Sequence, residues 1–167
     1  KAETSAAAMV NLTLTTPCQE NERVTIHHNG MMFTEATNND GELALTVPAL
    51  AEKAVFMAVF TNGKTLMSQA DVSSLSFYDR AVVQWKGDIG LQIHAREFGA
   101  DYGEKGHVWA EAAGDLKSAI TGESGLVMRL GDVDSPEALL AEVYTFPSGT
   151  SRKDGAILLT VEAEMTK

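Results

Sequence analysis

The sequence predicts an all-β protein, an antiparallel β-sandwich, and three observations lead to this fold class. Apolar and polar residues alternate with period two along much of the 167-residue chain, which is the pattern of strands with one buried face. Several alternating runs are separated by Asn-Gly or Asp-Gly, the dipeptides that favour tight hairpin turns. The runs are short and are followed by glycine-marked turns, as they are in sandwiches and barrels.

The first elements can be read in order from the amino terminus. Residues 1–8 are small or polar, and we expect a linker or the start of an exported segment. Strand character begins at residues 10–14, where Val and Leu alternate with Asn and Thr. The runs on the two sides of Asn29-Gly30 predict a β-hairpin in which Ile26 faces Phe33.

The same turn signal occurs twice more in this part of the chain. Asp40-Gly41 and Asn62-Gly63 stand between further alternating runs, so we expect consecutive antiparallel strands. Residues 54–60 are apolar on both faces, which indicates a central strand.

A second block of strand-like runs begins near Tyr78. Residues 99–106 contain three glycines and are interpreted as a flexible loop. Residues 135–142 fit either a strand or a helix, since Ser and Pro open the segment as they open many helices. The remaining runs that predict strands are 80–86, 90–98, 107–112, 126–130, 138–146 and 156–165.

The break around Ser73–Asp79 divides the predicted strands into two groups. We interpret them as two small antiparallel β modules in tandem, residues 9–77 and residues 78–167. One larger sandwich is the alternative, because a chain of this length can bury a single core.

One segment of the first module carries a family resemblance. Residues 37–48 read TNNDGELALTVP: Asp-Gly turns the chain, three alternating apolar residues fill a sandwich, and proline ends the strand. The segment resembles the signature of carboxypeptidase-regulatory-like and other transthyretin-like β-sandwich modules. That resemblance implies a non-catalytic, extracytoplasmic (periplasmic or secreted) module. The whole chain is also similar to uncharacterised bacterial envelope proteins, which implies a membrane anchor upstream of Lys1.

Charge and cysteine content restrict the partners. The chain has 13 Lys+Arg against 23 Asp+Glu, a formal net charge of −10, which argues against nucleic-acid binding. There is no apolar run of the length that spans a membrane as a helix. Cys18 is the only cysteine, so its disulfide partner, if it has one, lies outside this sequence.

The strongest candidate ligand site is the loop at residues 98–109. Aromatic rings stack on sugar faces and carboxylates accept hydroxyl hydrogen bonds, so a carbohydrate or small ligand is the predicted occupant. The competing interpretation places Trp85 and Trp109 in the core. The candidate ligand-binding residues are Phe98, Asp101, Tyr102, Glu104 and Trp109.

Other chemistry has weaker support in the sequence. Asp132, Asp134 and Glu137 are calcium candidates, with a solvated acidic turn as the simpler interpretation. His94 and His107 are among the histidines that could converge in space. No phosphate-binding loop or nucleophile-elbow motif is present, so we expect no cofactor and no enzyme, with a hydrolase using carboxylates of the loop as the third alternative.

The sequence as a whole favours a non-enzymatic extracytoplasmic β-sandwich that acts as a structural or protein-binding module of a larger envelope protein. An unidentified protein is its expected partner. The alternative is a carbohydrate- or small-ligand-binding module that uses the 98–109 loop.

Overall fold

Strands make up most of the computed structural model, which describes residues 1–165. One α-helix, α1 (Leu116–Thr121), and two 3-10 helices, Ala6–Ala8 and Ser73–Phe77, complete the regular structure of the described residues. The strands are β1 (Ala2–Ser5), β2 (Met9–Thr15), β3 (Arg23–His28), β4 (Met31–Ala36), β5 (Glu42–Pro48), β6 (Lys53–Phe60), β7 (Thr65–Asp71), β8 (Asp79–Lys86), β9 (Ile89–Glu97), β10 (His107–Val108), β11 (Leu126–Leu130), β12 (Leu139–Phe146) and β13 (Ile157–Met165).

The strands form antiparallel sheets, and the predicted all-β, sandwich-like fold is confirmed. Two sheets belong to the first half of the chain, in the orders β1-β2-β5 and β4-β3-β6-β7. Two belong to the second half, in the orders β11-β12-β8 and β10-β9-β13.

The two sheets of the first half enclose an apolar core. Val10 and Val47 come from one sheet, and Val24, Phe33 and Phe56 come from the other, all at most 3% exposed. Alternation along each strand directs these side chains inward, as the sequence pattern predicts.

Two of the three turn dipeptides form the hairpins that we predicted. Asn29 and Gly30 have φ of 48° and 86°, and Ile26 pairs with Phe33 across the turn. Asn62-Gly63 joins β6 to β7, and β6 lies between β3 and β7, which makes it the internal strand that its two apolar faces indicated.

The prediction for Asp40-Gly41 is wrong, because this turn does not join paired strands. β4 belongs to one sheet, and β5 pairs with β2 in the other. Gly41 has φ of +73°, and a Cβ atom there would clash with the carbonyl oxygen of Thr16. The glycine therefore lets the chain pass closely under the end of β2 as it crosses between sheets.

Three further segments differ from, or decide between, the sequence-based expectations. Ala2–Ser5, within the expected linker, pairs with β2 as β1. Within residues 135–142, considered as helix or strand, residues 135–138 form no regular element and residues 139–142 begin strand β12, so the segment contains no helix. Helix α1 was not predicted, although Asp115 caps it by accepting a hydrogen bond from the Ser118 N–H and Gly122 ends it with φ of 79°.

The two halves share buried contacts. Leu130, Ala141 and Val143 of the second half belong to the same apolar core as the first-half strands. A second core, around Ile93 and Phe146, lies between the sheets of the second half. The division into modules at residues 77 and 78 stays a prediction.

Arg80 is one of the polar connections between the halves. Its guanidinium donates to the carbonyls of Ala7, Ala8 and Ala49 at 2.8, 2.6 and 2.8 Å, and to the hydroxyl of Thr145 at 2.5 Å. Burial lowers the pKa of Arg80 to about 10, which leaves the group charged at neutral pH. One cation therefore satisfies three first-half carbonyls and a β12 side chain.

Within residues 1–165, no helix has the length and apolar character needed to cross a membrane.

Candidate functional site

The sheet β10-β9-β13 carries the densest group of functional side chains. His94 lies on β9, His107 on β10 and Glu162 on β13, so each strand of the sheet contributes one. Thr160 is the residue opposite His94, and Glu162 lies two positions further on the same face of the sheet. Both imidazoles are buried, with His94 4% and His107 6% exposed.

A directional chain of contacts links these groups. The N–H of Gly103 donates to Nδ1 of His107 at 3.0 Å, so this nitrogen carries no proton. The proton of His107 therefore lies on Nε2, which contacts Nδ1 of His94 at 2.8 Å. The proton of His94 is then on Nε2, 3.2 Å from Glu162 Oε2 but without hydrogen-bond alignment. The pair holds two protons between four nitrogens.

Two aromatic side chains of the loop enclose the histidines. Trp109 stacks on His94 and His107 with ring centroids 4.8 and 5.4 Å apart. Tyr102 meets His107 edge-on at 4.8 Å, and the guanidinium of Arg96 lies 4.9 Å from the Tyr102 ring centroid. We call Tyr102, Trp109, His94 and His107 the histidine–aromatic cluster.

The predicted ligand residues are brought together only in part. Tyr102 and Trp109 meet in the cluster, and Tyr102 is 47% exposed. Glu104 accepts a hydrogen bond from the Asp101 N–H at 3.1 Å, which closes the turn of the loop. Phe98 points elsewhere, because it packs on Phe146 in the second core at 5.6 Å.

The calcium candidates serve local structure. Asp132 accepts hydrogen bonds from the Asp134 N–H and the Ser135 hydroxyl, and Glu137 lies 3.7 Å from the Lys86 ammonium. Across residues 1–165, no group of three His, Cys, Asp or Glu side chains has metal-binding geometry.

The hydrogen bond from Gly103 opposes both metal binding and further protonation at His107. A metal bound to Nε2 of His107 would require the proton on Nδ1, where Gly103 already donates. The same bond resists further protonation of the ring. Burial, followed by electrostatic repulsion from a protonated His94 ring and from Arg96, lowers the pKa of His107 from its ordinary value.

Sequence reasoning missed the buried carboxylate of β12. Glu142 is 0% exposed, accepts from the Ile93 N–H at 2.7 Å and pairs with Arg129 at 2.8 Å. A glutamate within an apolar run is the signal that identifies it, since such a residue is buried only with partners. Glu97 of β9 is a second buried carboxylate; it accepts from the Tyr144 hydroxyl, and burial together with this carboxylate raises the pKa of Tyr144.

Strand β13 forms one border of the β10-β9-β13 sheet. The Phe98 N–H donates to the Ala156 carbonyl at 3.1 Å, and the register of β9 and β13 continues this pairing. Because bonded pairs alternate in an antiparallel ladder, even-numbered residues of β13 bond to β9. The odd-numbered residues direct their backbone N–H and C=O groups away from the sheet. We call these groups, on Ile157, Leu159, Val161, Ala163 and Met165, the β13 edge.

The side chains of β13 are more exposed than its composition suggests. Leu159 and Val161 share a face with buried Ala95 and Ile93, yet they are 49% and 52% exposed. The opposing sheet therefore covers β9 but does not extend over β13. On the other face Leu158 is 53% exposed.

The first half contains a cleft of about 430 Å³ between its two sheets. Leu14, Leu43, Leu45 and Leu66 are among the apolar side chains that line it. None of the residues that the sequence predicted as ligand or metal sites lies in this cleft.

Comparisons of the chain with family models, with curated proteins and with solved structures find no match.

Proposed function

We propose that this protein is a non-enzymatic, extracytoplasmic β-sandwich that binds another protein by adding the partner's strand to the β13 edge. The observation that carries the proposal is the nine-residue strand at the border of its sheet, with half-exposed apolar side chains. The resemblance of residues 37–48 to transthyretin-like modules supports the extracytoplasmic location.

Strand addition suits this border for a physical reason. Five N–H and five C=O groups along the edge are directed outward, so an antiparallel partner strand can complete the ladder. The main-chain bonds supply affinity, and the alternating side chains supply specificity.

The side chains of β13 also restrict which side chains the added partner strand can carry. Leu159 and Val161 require apolar side chains on one face of the added strand. Glu162 and Glu164 lie on the other face and, with a chain net charge of −10, favour basic or neutral positions there.

Amide hydrogen exchange followed by NMR tests the proposal, with a blocked synthetic nonapeptide of alternating Lys and Val as the probe. In the dilute protein we expect fast exchange at residues 157, 159, 161, 163 and 165, and slow exchange at the even-numbered residues between them. Saturating peptide should slow exchange at the odd-numbered amides.

Val161→Pro removes one outward donor without taking a bond from the β9 ladder, and it should weaken peptide binding at least tenfold. Val161→Thr keeps the donor and is the matched control. Slow exchange of the odd-numbered amides in the monomer, or no protection at saturating peptide, would reject the proposed function.

A second candidate function is carbohydrate binding at the histidine–aromatic cluster, favoured by the 47% exposure of Tyr102 beside Trp109. Its test is fluorescence titration with chito-, cello- and malto-oligosaccharides in a Trp85→Phe background, where Trp109 is the remaining reporter. A saturable change that Tyr102→Ala removes supports it, and a flat titration with all three sugars rejects it.

A further inference from the structure

We infer that the partner strand is β13 of a second copy of this chain, and that the two copies pair antiparallel about a two-fold axis at Val161. The inference rests on the proposed function, because it identifies the occupant of the same edge. It follows from the direction of the backbone groups, the side-chain sequence and the size of the exposed surface.

The backbone restricts the register of such a pair. A two-fold axis that passes through residue n pairs each residue n + k with n − k of the other copy. Only odd-numbered residues of β13 direct their N–H and C=O groups outward, so odd-numbered residues of the two copies must face each other, which an axis through a residue allows and an axis between two residues does not. Val161 is the centre of Ile157–Met165, and an axis there pairs all nine residues.

The side chains match themselves in this register. On one face Val161 meets its own copy, Leu159 meets Ala163, and Ile157 meets Met165, so every pair is apolar. This strip continues the half-exposed surface that the opposing sheet leaves uncovered.

The acidic side chains of the other face do not oppose each other directly. Glu162 lies opposite Thr160 of the second copy, whose hydroxyl can donate to it, and Glu164 lies opposite Leu158. Like charges directly opposite would destabilise a sheet, and this register avoids them.

The size of the contact reaches that of a specific dimer. Five hydrogen-bonded pairs supply about ten main-chain hydrogen bonds, close to the number in an average interface. The pairing also covers exposed apolar side chains of both strands, since Leu158, Leu159, Val161 and Met165 are 53%, 49%, 52% and 81% exposed in one copy. In this two-fold contact the β13 edge of each copy is paired with that of the other. No β13 edge is left for a third copy, so the assembly stops at a dimer.

Single-cysteine cross-linking tests the register in a Cys18→Ser background, since native Cys18 is exposed. Val161→Cys places two thiols at a bonded pair, about 5.5 Å apart between Cα atoms, which a disulfide can span. We expect nearly complete dimer after mild oxidation. Leu159→Cys alone should stay uncross-linked, because the two thiols lie about 14 Å apart along the strands.

Mixing Leu159→Cys with Ala163→Cys supplies the matched positive control, because these positions oppose each other only in this register. Sedimentation equilibrium of the unmodified chain should show a dimer that Val161→Pro converts to monomer and Val161→Thr retains. Equal cross-linking at positions 159 and 161, or a monomer at NMR concentrations, would overturn the inference.

The outcomes separate the two proposals. A monomeric chain whose odd-numbered amides are protected by the Lys/Val peptide retains the strand-binding function and rejects the second copy as partner. A monomer whose odd-numbered amides already exchange slowly rejects both.

Discussion

The two halves of the molecule differ in the side chains that they bury. The sheets formed by β1–β7 close over an apolar core, in which Phe33 and Val24 are fully buried. The sheets of the second half bury two carboxylates, Glu97 and Glu142, and leave β13 half uncovered. The first half therefore contributes most of the large apolar core, while the second half contains buried polar groups beside a strand whose apolar side chains are exposed.

The largest effect should come from the apolar core. Phe33→Ala leaves a cavity between the first-half sheets and should lower the free energy of unfolding by about 4 kcal/mol. Val55→Ala, at a side chain 40% exposed on β6, is the matched control and should cost less than about 1 kcal/mol. Urea denaturation followed by circular dichroism measures both. Equal costs would contradict an apolar core at Phe33.

The second-largest loss of unfolding free energy should come from replacing Arg80, which connects the two halves. Arg80→Met keeps much of the side-chain volume but removes the guanidinium donor from the buried carbonyls of Ala7 and Ala49 and from the Thr145 hydroxyl, while the Ala8 carbonyl keeps the Ala49 N–H. We expect a loss of about 3 kcal/mol in unfolding free energy, since hydrogen bonds to a charged group are costly to leave unmade. Arg152→Met, at an exposed position, should change little. Equal effects of the two variants would show that Arg80 does not connect the halves.

The third effect should come from the buried carboxylate of Glu142, where replacing one oxygen should lower the free energy of unfolding. Glu142→Gln can still accept from the Ile93 N–H, but its amide replaces the oxygen that pairs with Arg129. A loss of about 2 kcal/mol is expected in urea denaturation. Glu164→Gln on exposed β13 is the matched control, with an expected change within about 0.5 kcal/mol. If Glu142→Gln leaves the free energy of unfolding unchanged, the apolar contacts of this half stabilise it rather than the pair of Glu142 with Arg129.

The fold could be predicted from the sequence to the extent that local chemistry determines it. Alternation and the Asn-Gly turns identify the strands and the β3–β4 and β6–β7 hairpins, because both signals act over a few residues. Asp40-Gly41 misled the prediction, since the same dipeptide also suits a turn between sheets. The partner of a strand outside its hairpin depends on packing across the whole chain, which no local pattern contains.

The candidate site was predictable to a smaller extent. Tyr102 and Trp109 were identified from their loop. Phe98 directly follows β9, and with φ of 51° its side chain packs against the second core instead. The contact of His94 with His107 depends on the pairing of β9 with β10. The exposed face of β13 is equally invisible in the sequence, because alternation predicts which residues share a face but not whether another sheet covers that face.

The smallest expected effect is the pH dependence of stability that arises from one histidine in each half, His28 and His107. The N–H of Leu50 donates to Nε2 of His28 at 2.9 Å, as the N–H of Gly103 donates to Nδ1 of His107, so each ring accepts where an imidazolium would need a proton. Burial is the main cause that lowers the pKa of both groups below 6.5.

The sign of the pH dependence follows from this shift. Above about pH 7.5 both histidines are neutral in the folded and unfolded chain and contribute nothing to the pH dependence. As the pH falls through about 6.5 the unfolded chain binds protons first, so stability decreases until the folded pKa is passed. Imidazole NMR titration should give midpoints below 6.5 for both residues, and a midpoint at or above that value at either ring would contradict the donor assignment there. His28→Gln and His107→Gln should each flatten the fall in the urea midpoint between pH 7.5 and pH 5.5, which separates the contribution of the closed first half from that of the half that carries the β13 edge.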